Sequence, residues 1–241
     1  VNLLKAIGES LLKTQEEQGY WTFEGRPQTG FAHGTSGIMA ALAVIAKHTQ
    51  LQVDDALERA IQFELNQLKA HQPMIGDHLL SNSTVQMVDG MWCRGSAGIL
   101  LAMAVVQQSG MQHLRGFNEL TQLVKERLFH QLPDRDQLCC GIPGVSMSLA
   151  AAARVMDDEG LLNYSQDLKM RWIQSISSGR QPIARTLRNG TIMSPPGLFT
   201  GRAGLGLFLL DDANHAQLKD QIMSCGLLTT SPMCIDKGSH P

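Results

Sequence analysis

The chain has 241 residues, of which 43% are hydrophobic and only 17% are charged. This length allows a substantial core in one domain or two small ones. The net charge of −2 and the absence of lysine or arginine clusters exclude a nucleic-acid-binding surface. No apolar run approaches the roughly 20 residues that a membrane-spanning helix needs. Five cysteines, an odd number with two adjacent, do not form a disulfide framework, so we expect a cytoplasmic protein.

The first predicted element is an amphipathic helix over about residues 1–18. A turn region rich in aromatic residues and helix breakers follows, from Gly19 to Pro27. Because the chain starts on an amphipathic helix, we expect no secretory signal. Because the chain begins at Val1 and not at a methionine, we expect it to be a segment of a longer protein.

A junction of the form x-Gly-x-x-Gly-aliphatic then occurs four times, and its first glycines lie 61, 46 and 60 residues apart: Gly34, Gly95, Gly141 and Gly201. Each junction opens an apolar helix rich in small residues, predicted over Ile38–Ala46, Ile99–Val106, Val145–Val155 and Leu205–Leu210. Amphipathic helices are predicted between them, over Val53–Lys69, Leu114–Gln131 and Leu161–Ile176. The chain has no convincing period-2 alternation, so we predict no substantial sheet.

This alternation predicts an all-α array of helical hairpins. The small-residue helices suit an inner layer that packs on every side, and the amphipathic helices suit an outer layer with one wet face. The glycines are expected to allow positive φ and close backbone approach, so that the loops fold tightly over one end. Equivalent junctions would then lie side by side, with the residue before each glycine facing a common centre.

The two positions before each junction glycine carry reactive or ligating residues at three of the four junctions: Ala32-His33, Cys93-Arg94, Cys139-Cys140 and Phe199-Thr200. Three thiolates favour zinc over harder ions, and three protein ligands leave one coordination position for a substrate. Iron–sulfur clusters need four cysteines at recognisable spacings, which are absent. Buried structural cysteines remain the alternative interpretation.

His33 occupies the junction position equivalent to Cys140. It is a candidate fourth ligand or acid/base group, with a helix-capping histidine as the plainer interpretation. Arg94 either faces solvent or stabilises a developing anion. Asp89 is a loop acid or a group that supports a ligand. No role is assigned to Cys225 or to Cys234, which lies near the end of the chain.

These motifs, in this order, resemble those of the lanthionine synthetase C-like cyclases over most of residues 20–210. The motifs that carry the resemblance are Phe31-Ala32-His33-Gly34, Trp92-Cys93-Arg94-Gly95, Cys139-Cys140-Gly141 and the segment from Pro196 to Gly204. The resemblance implies an α/α toroid (a double helical barrel) of about seven repeats. Residues 1–241 would be its C-terminal four repeats, with the N-terminal repeats absent. The chain also resembles the cyclase domain of class II lanthipeptide synthetases, which implies a dehydratase domain on the same full-length chain.

The resemblance further implies one zinc ion held by Cys93, Cys139 and Cys140, with His33 as the catalytic histidine. Cys140 departs from the usual histidine and resembles a subset of synthetases with three cysteine ligands. The implied reaction adds cysteine thiols of a dehydrated precursor peptide to dehydroalanine or dehydrobutyrine, which forms lanthionine or methyllanthionine rings.

Three other functions stay open. Relatives of these cyclases include non-catalytic proteins that bind thiols such as glutathione. A zinc ion closed by a fourth protein ligand would be purely structural. An α/α-barrel glycosidase needs paired carboxylates at the barrel mouth, whereas the junctions offer thiols and a histidine.

Overall fold

The computed structural model describes residues 2–70, 90–128, 132–182 and 195–228, together with the backbone of 185–186 and 192–193. Asp89 and Cys234 lie outside these residues. The helices in this part of the chain are α1 (Asn2–Lys13), α2 (Thr35–Thr49), α3 (Asp54–Ala70), α4 (Ser96–Gln108), α5 (Phe117–Leu128), α6 (Ile142–Met156), α7 (Glu159–Ser177), α8 (Arg202–Leu209) and α9 (Asp212–Met223). The strands form two short antiparallel pairs, β1 (Thr22–Phe23) with β2 (Arg26–Pro27) and β3 (Arg185–Thr186) with β4 (Ile192–Met193).

The helices form two layers, as the alternation of apolar and amphipathic segments predicts. In the inner layer, α4 packs between α2 and α6, and α8 packs on α6. Residues Ser96 to Val106 of α4 are buried without interruption, because this helix has neighbours on all sides. The outer helices α3, α5, α7 and α9 each pack with one face toward the inner layer. In the described part of the chain, no helix combines the length and the apolar character that a membrane crossing requires.

Helices α1 and α9 differ from the prediction. Helix α1 ends at Lys13, because the chain turns back at Gly19, whose φ is +91°. The side chain of Gln15 fixes this turn by donating to the carbonyls of Gly19 and Ala56 at 3.0 and 2.8 Å. The predicted elements end at Leu210, whereas the structure continues with α9 from Asp212.

Helix α9 is held by its polar residues. Asp211 caps its start by accepting from the backbone N–H of Ala213 at 3.1 Å. Asp220, which is 2% exposed, pairs with Arg154 of α6, whose Nε donates at 2.8 Å. A polar pair therefore replaces the apolar stripe that normally reveals an outer helix.

The junction glycines are required by close packing and not by positive φ. The first glycine of each junction has φ between −119° and −151°, so the positive φ expected there is wrong. The second glycine of each junction lies in the first turn of an inner helix. A Cβ there would lie less than 3.0 Å from the carbonyl oxygen six residues earlier, at Gly37, Gly98, Gly144 and Gly204. Only glycine leaves room for this approach.

Candidate metal centre

Backbone hydrogen bonds join the four junctions side by side at equivalent positions. The N–H of Ala32 donates to the carbonyl of Cys93 at 3.1 Å, and the N–H of Cys93 donates to Cys139 at 3.2 Å. The N–H of Cys139 donates to Phe199 at 2.8 Å. Each donor and acceptor stands two residues before a junction glycine. The register of the sequence repeat is therefore also the register of the structure.

This register brings three thiols together at one end of the inner layer. The sulfur of Cys140 lies 3.3 Å from that of Cys93 and 3.2 Å from that of Cys139. All three sulfur atoms lie within 4.8 Å of one another, which is the spacing of a group that could hold a metal ion. Cys93 is buried, while Cys139 and Cys140 are partly buried and free of disulfides.

The thiols perturb each other strongly. Hydrogen bonds with Cys139 and Cys93 lower the pKa of Cys140 to about 3, and the charges of Arg135 and Arg94 act in the same direction. Hydrogen bonds with Cys139 and Cys140, together with burial, raise the pKa of Cys93. The cluster therefore favours one thiolate among the three cysteines.

Two arginines contribute positive charge to this cluster. Arg94 is half-buried and lowers the pKa of Cys139 and Cys140, so it does more than face solvent. Its backbone carbonyl accepts a hydrogen bond from the Thr29 hydroxyl at 3.0 Å. Arg135 is exposed and acts on Cys140. It lies outside every junction motif, so the sequence carries no signal for it.

His33 lies in the junction next to Cys93, because Ala32 is the residue bonded to the Cys93 carbonyl. Its ring is half-buried and stacks at an angle against Phe23, with ring centroids 5.1 Å apart. Among the described residues, the group of ligand atoms within 4.8 Å of one another has three members, all cysteines. His33 is therefore not a fourth member of this group.

Aromatic rings from three of the junctions pack against one another. Trp92 is 5% exposed and stacks on Phe199, with ring centroids 4.7 Å apart. The ring of Phe31, which belongs to the first junction, has its centroid 5.8 Å from that of Trp92. The Trp92 indole N–H donates to the carbonyl of Met223 at 3.0 Å, which ties the centre to the end of α9.

One buried acid near the site was missed by the sequence analysis. Glu64 of α3 is 0% exposed and accepts a hydrogen bond from the hydroxyl of Ser36, at the start of α2. A signal for it exists in the sequence. Glu64 falls at helical spacing on the same face as the buried Leu57, Ile61 and Leu68, where an apolar residue is expected.

Comparison with known proteins defines the family of this chain. The model for the lanthionine synthetase C-like protein family matches residues 1–223. The chain belongs to the lanthionine synthetase C-like family. This confirms the resemblance that the ordered junction motifs carry. No curated protein matches the chain significantly in sequence.

Solved structures confirm the fold of this family member. One of them is a nisin cyclase, which the chain matches with a TM-score of 0.65 and 15% sequence identity. The match covers 92% of this chain and 61% of the nisin cyclase chain. The predicted all-α fold, an α/α toroid, is therefore confirmed, and the chain spans about three fifths of the length of that structure.

Proposed function

We propose that this chain is the zinc-binding part of a peptide cyclase that forms lanthionine or methyllanthionine thioether rings in a dehydrated precursor peptide. The observation that carries the proposal is the group of three thiols at Cys93, Cys139 and Cys140, in a member of the lanthionine synthetase C-like family. The name of the nisin cyclase that shares the fold supports a lanthipeptide as the class of substrate.

The three thiols fit a zinc ion. Zinc binds thiolates at about 2.3 Å, and tetrahedral geometry then separates its sulfur ligands by about 3.8 Å. The observed separations of 3.2 and 3.3 Å need outward shifts of only about half an ångström to reach that value. Soft thiolate ligands also favour zinc over hard divalent ions. A set of three protein ligands matches catalytic zinc sites, which keep one position open.

When bound, zinc would lower the pKa of a substrate cysteine and supply its thiolate near neutral pH. The thiolate adds to the β-carbon of a dehydro residue, the carbon–carbon π bond opens to an enolate, and the α-carbon takes up a proton. We assign His33 to this proton transfer or to removal of the thiol proton. Arg94 and Arg135 offset the negative charge that the three cysteine thiolates concentrate at the centre.

Replacing His33 with glutamine is expected to slow ring formation by about 10²–10⁴-fold, the range of general acid–base catalysis, while the zinc content stays unchanged. The measurement pairs mass spectrometry of thiol loss with elemental analysis of the same sample. His113→Gln is the matched control, because His113 is exposed and its partner Asp54 lies in α3, away from the junctions. A His33→Gln enzyme that cyclises at the rate of the control would contradict the assignment.

Replacing Cys140 with histidine is expected to retain zinc and to slow cyclisation by about tenfold, the smaller effect seen for changes that tune a metal site. A neutral ligand removes one negative charge, so the bound substrate sulfur becomes less electron-rich and a poorer nucleophile. Rates are compared by mass spectrometry at matched zinc occupancy. An unchanged or faster rate would be incompatible with this electrostatic role for the third thiolate.

The proposal extends to the setting of the chain. We infer that residues 1–241 form the C-terminal part of a cyclase domain, that a dehydratase domain belongs to the same full-length protein, and that the protein works in the cytoplasm. The odd number of cysteines, two of them adjacent, supports a reducing compartment.

The test of the function is incubation of the full-length protein with a dehydrated precursor peptide. Loss of free thiols, scored by alkylation and mass spectrometry without any change in peptide mass before alkylation, is the expected result. Retention of all thiols, together with reversible binding of glutathione, would favour the non-catalytic thiol-binding alternative instead.

A further inference from the structure

Glu64 is a carboxylic acid in the interior of the helical layers, beneath the first junction. It is 0% exposed and lies between its own outer helix α3 and the start of the inner helix α2. The hydroxyl of Ser36 donates to its Oε1, and its Oε2 has no hydrogen-bond partner in the described part of the chain. A buried carboxylate without a cation is highly unfavourable, so this acid is expected to be neutral.

The pKa of Glu64 agrees with this expectation. Burial raises it to about 8, against the hydroxyl of Ser36 and the backbone N–H groups of Gly30 and Ser36, which favour the ionised form. None of these facing groups is charged, and none titrates in that range. The acid is therefore protonated at neutral pH and would ionise on moderate alkalinisation.

The groups that face Glu64 belong to the loop of residues 28–36, which carries His33. This loop lies directly against the ligand junction. Thr29 donates to the carbonyl of Arg94 at 3.0 Å, and Ala32 donates to the carbonyl of Cys93 at 3.1 Å. Gly30, with φ of +85°, packs so closely on Arg94 that a Cβ would collide with its backbone.

The contact from Ser36 is particular to this junction. The equivalent positions in the other three junctions are Ala97, Pro143 and Ala203, which have no hydroxyl to donate. The contact between a hydroxyl of the inner helix and a carboxyl of the outer layer is therefore particular to the junction that carries the candidate proton-transfer residue.

We propose that Glu64 is a positioning residue: in its neutral form it holds the loop of residues 28–36, and with it His33, against the backbone of Cys93 and Arg94. Ionisation of the carboxyl would put an uncompensated charge inside the layers and loosen this loop. The consequence for catalysis rests on the proposed cyclase function, whereas the anchoring of the loop does not.

The experiment is hydrogen exchange of the full chain, followed by mass spectrometry and corrected for the intrinsic pH dependence of exchange. The probe is a peptide covering residues 28–37, which includes the bonded amides of Ala32, Thr35 and Gly37. A peptide covering residues 138–144 of the third junction is the internal control. Glu58→Gln is the matched control variant, because Glu58 lies on the same helix and pairs with Arg115 at the surface.

At pH 7, Glu64→Ala and Ser36→Ala are expected to lose about tenfold in protection over residues 28–37, with residues 138–144 unchanged. Glu64→Gln imitates the neutral acid and is expected to keep wild-type protection. Above pH 8, the wild-type loop is expected to lose protection, whereas Glu64→Gln keeps it. If Glu64→Ala does not fold, the comparison of wild type with Glu64→Gln across pH remains decisive.

Equal loss of protection in all junctions would reduce Glu64 to a general stability role and overturn the proposal, as would identical pH profiles of wild type and Glu64→Gln. The exchange measurement needs no substrate. A protein that shows the expected exchange pattern but forms no thioether would therefore contradict the cyclase function and leave the role of Glu64 standing. In an active cyclase, Glu64→Gln is expected to extend the rate plateau to higher pH.

Discussion

Replacing Cys93 with alanine is expected to abolish zinc binding and ring formation together. Cys93 is 3% exposed, and its sulfur lies 3.3 Å from that of Cys140, so its loss removes the proposed ligand that the second junction supplies. The two remaining thiols stand on consecutive residues. Replacing a residue that hydrogen-bonds a metal ligand costs about 10–100-fold in metal affinity. Loss of a ligand itself is therefore expected to cost more than about 100-fold in zinc affinity.

Zinc affinity is measured by competition with a chromophoric chelator, and zinc content by elemental analysis. Cys225→Ala is the control, because Cys225 is exposed and lies outside the junctions. Thermal unfolding of both apoproteins separates loss of the ligand from loss of the fold. Full zinc occupancy in a folded Cys93→Ala protein would remove Cys93 from the ligand set.

Replacing Gly144 with alanine is expected to destabilise the protein by more than about 3 kcal/mol, at the upper end of single substitutions. The new Cβ would collide with the carbonyl of Leu138, a backbone atom that cannot move aside as a flexible side chain can. The strain falls on the junction that carries Cys139 and Cys140. We therefore expect weaker zinc binding as well as a lower free energy of unfolding, measured by denaturant titration.

Gly206 is the matched control, since it lies in α8 with open space around the position of a Cβ. Gly206→Ala is expected to raise the free energy of unfolding by about 0.5–1 kcal/mol, because alanine is the better helix former. If Gly144→Ala proved as stable as Gly206→Ala, the close approach at the junctions would not be the reason for their glycines.

The sequence was sufficient for the repeat and for the residues at its junctions. Four glycine pairs in register predicted the inner helices, and position within the repeat predicted that Cys93, Cys139 and Cys140 would come together. Both inferences depend on local features that are repeated along the chain, so they can be recognised in a single sequence. Helix α9 was missed because its contact with α6 is a charged pair, Asp220 with Arg154, and not an apolar stripe.

Other features depend on contacts between distant parts of the chain. The environment of Glu64 forms where α3 packs against the start of α2. The spacing of residues within α3 does not predict that Glu64 contacts the hydroxyl of Ser36. The charge of Arg135 lowers the pKa of Cys140 from a loop position that no sequence motif marks. The glycine conformation was mispredicted for a similar reason. A repeated glycine predicts a position where a side chain is not tolerated. Whether positive φ or lack of space is the reason depends on the neighbouring residues in the folded structure.

Because backbone hydrogen bonds join the junctions, the arrangement of the three thiols does not depend on the lengths of the segments between the junctions. Ala32, Cys93, Cys139 and Phe199 are aligned neighbour to neighbour, although the segments that separate the junctions differ by up to 15 residues. Insertions or deletions in those segments can therefore accumulate without shifting the thiols relative to one another. Such a scaffold lets the outer surface change while the three thiols keep their arrangement.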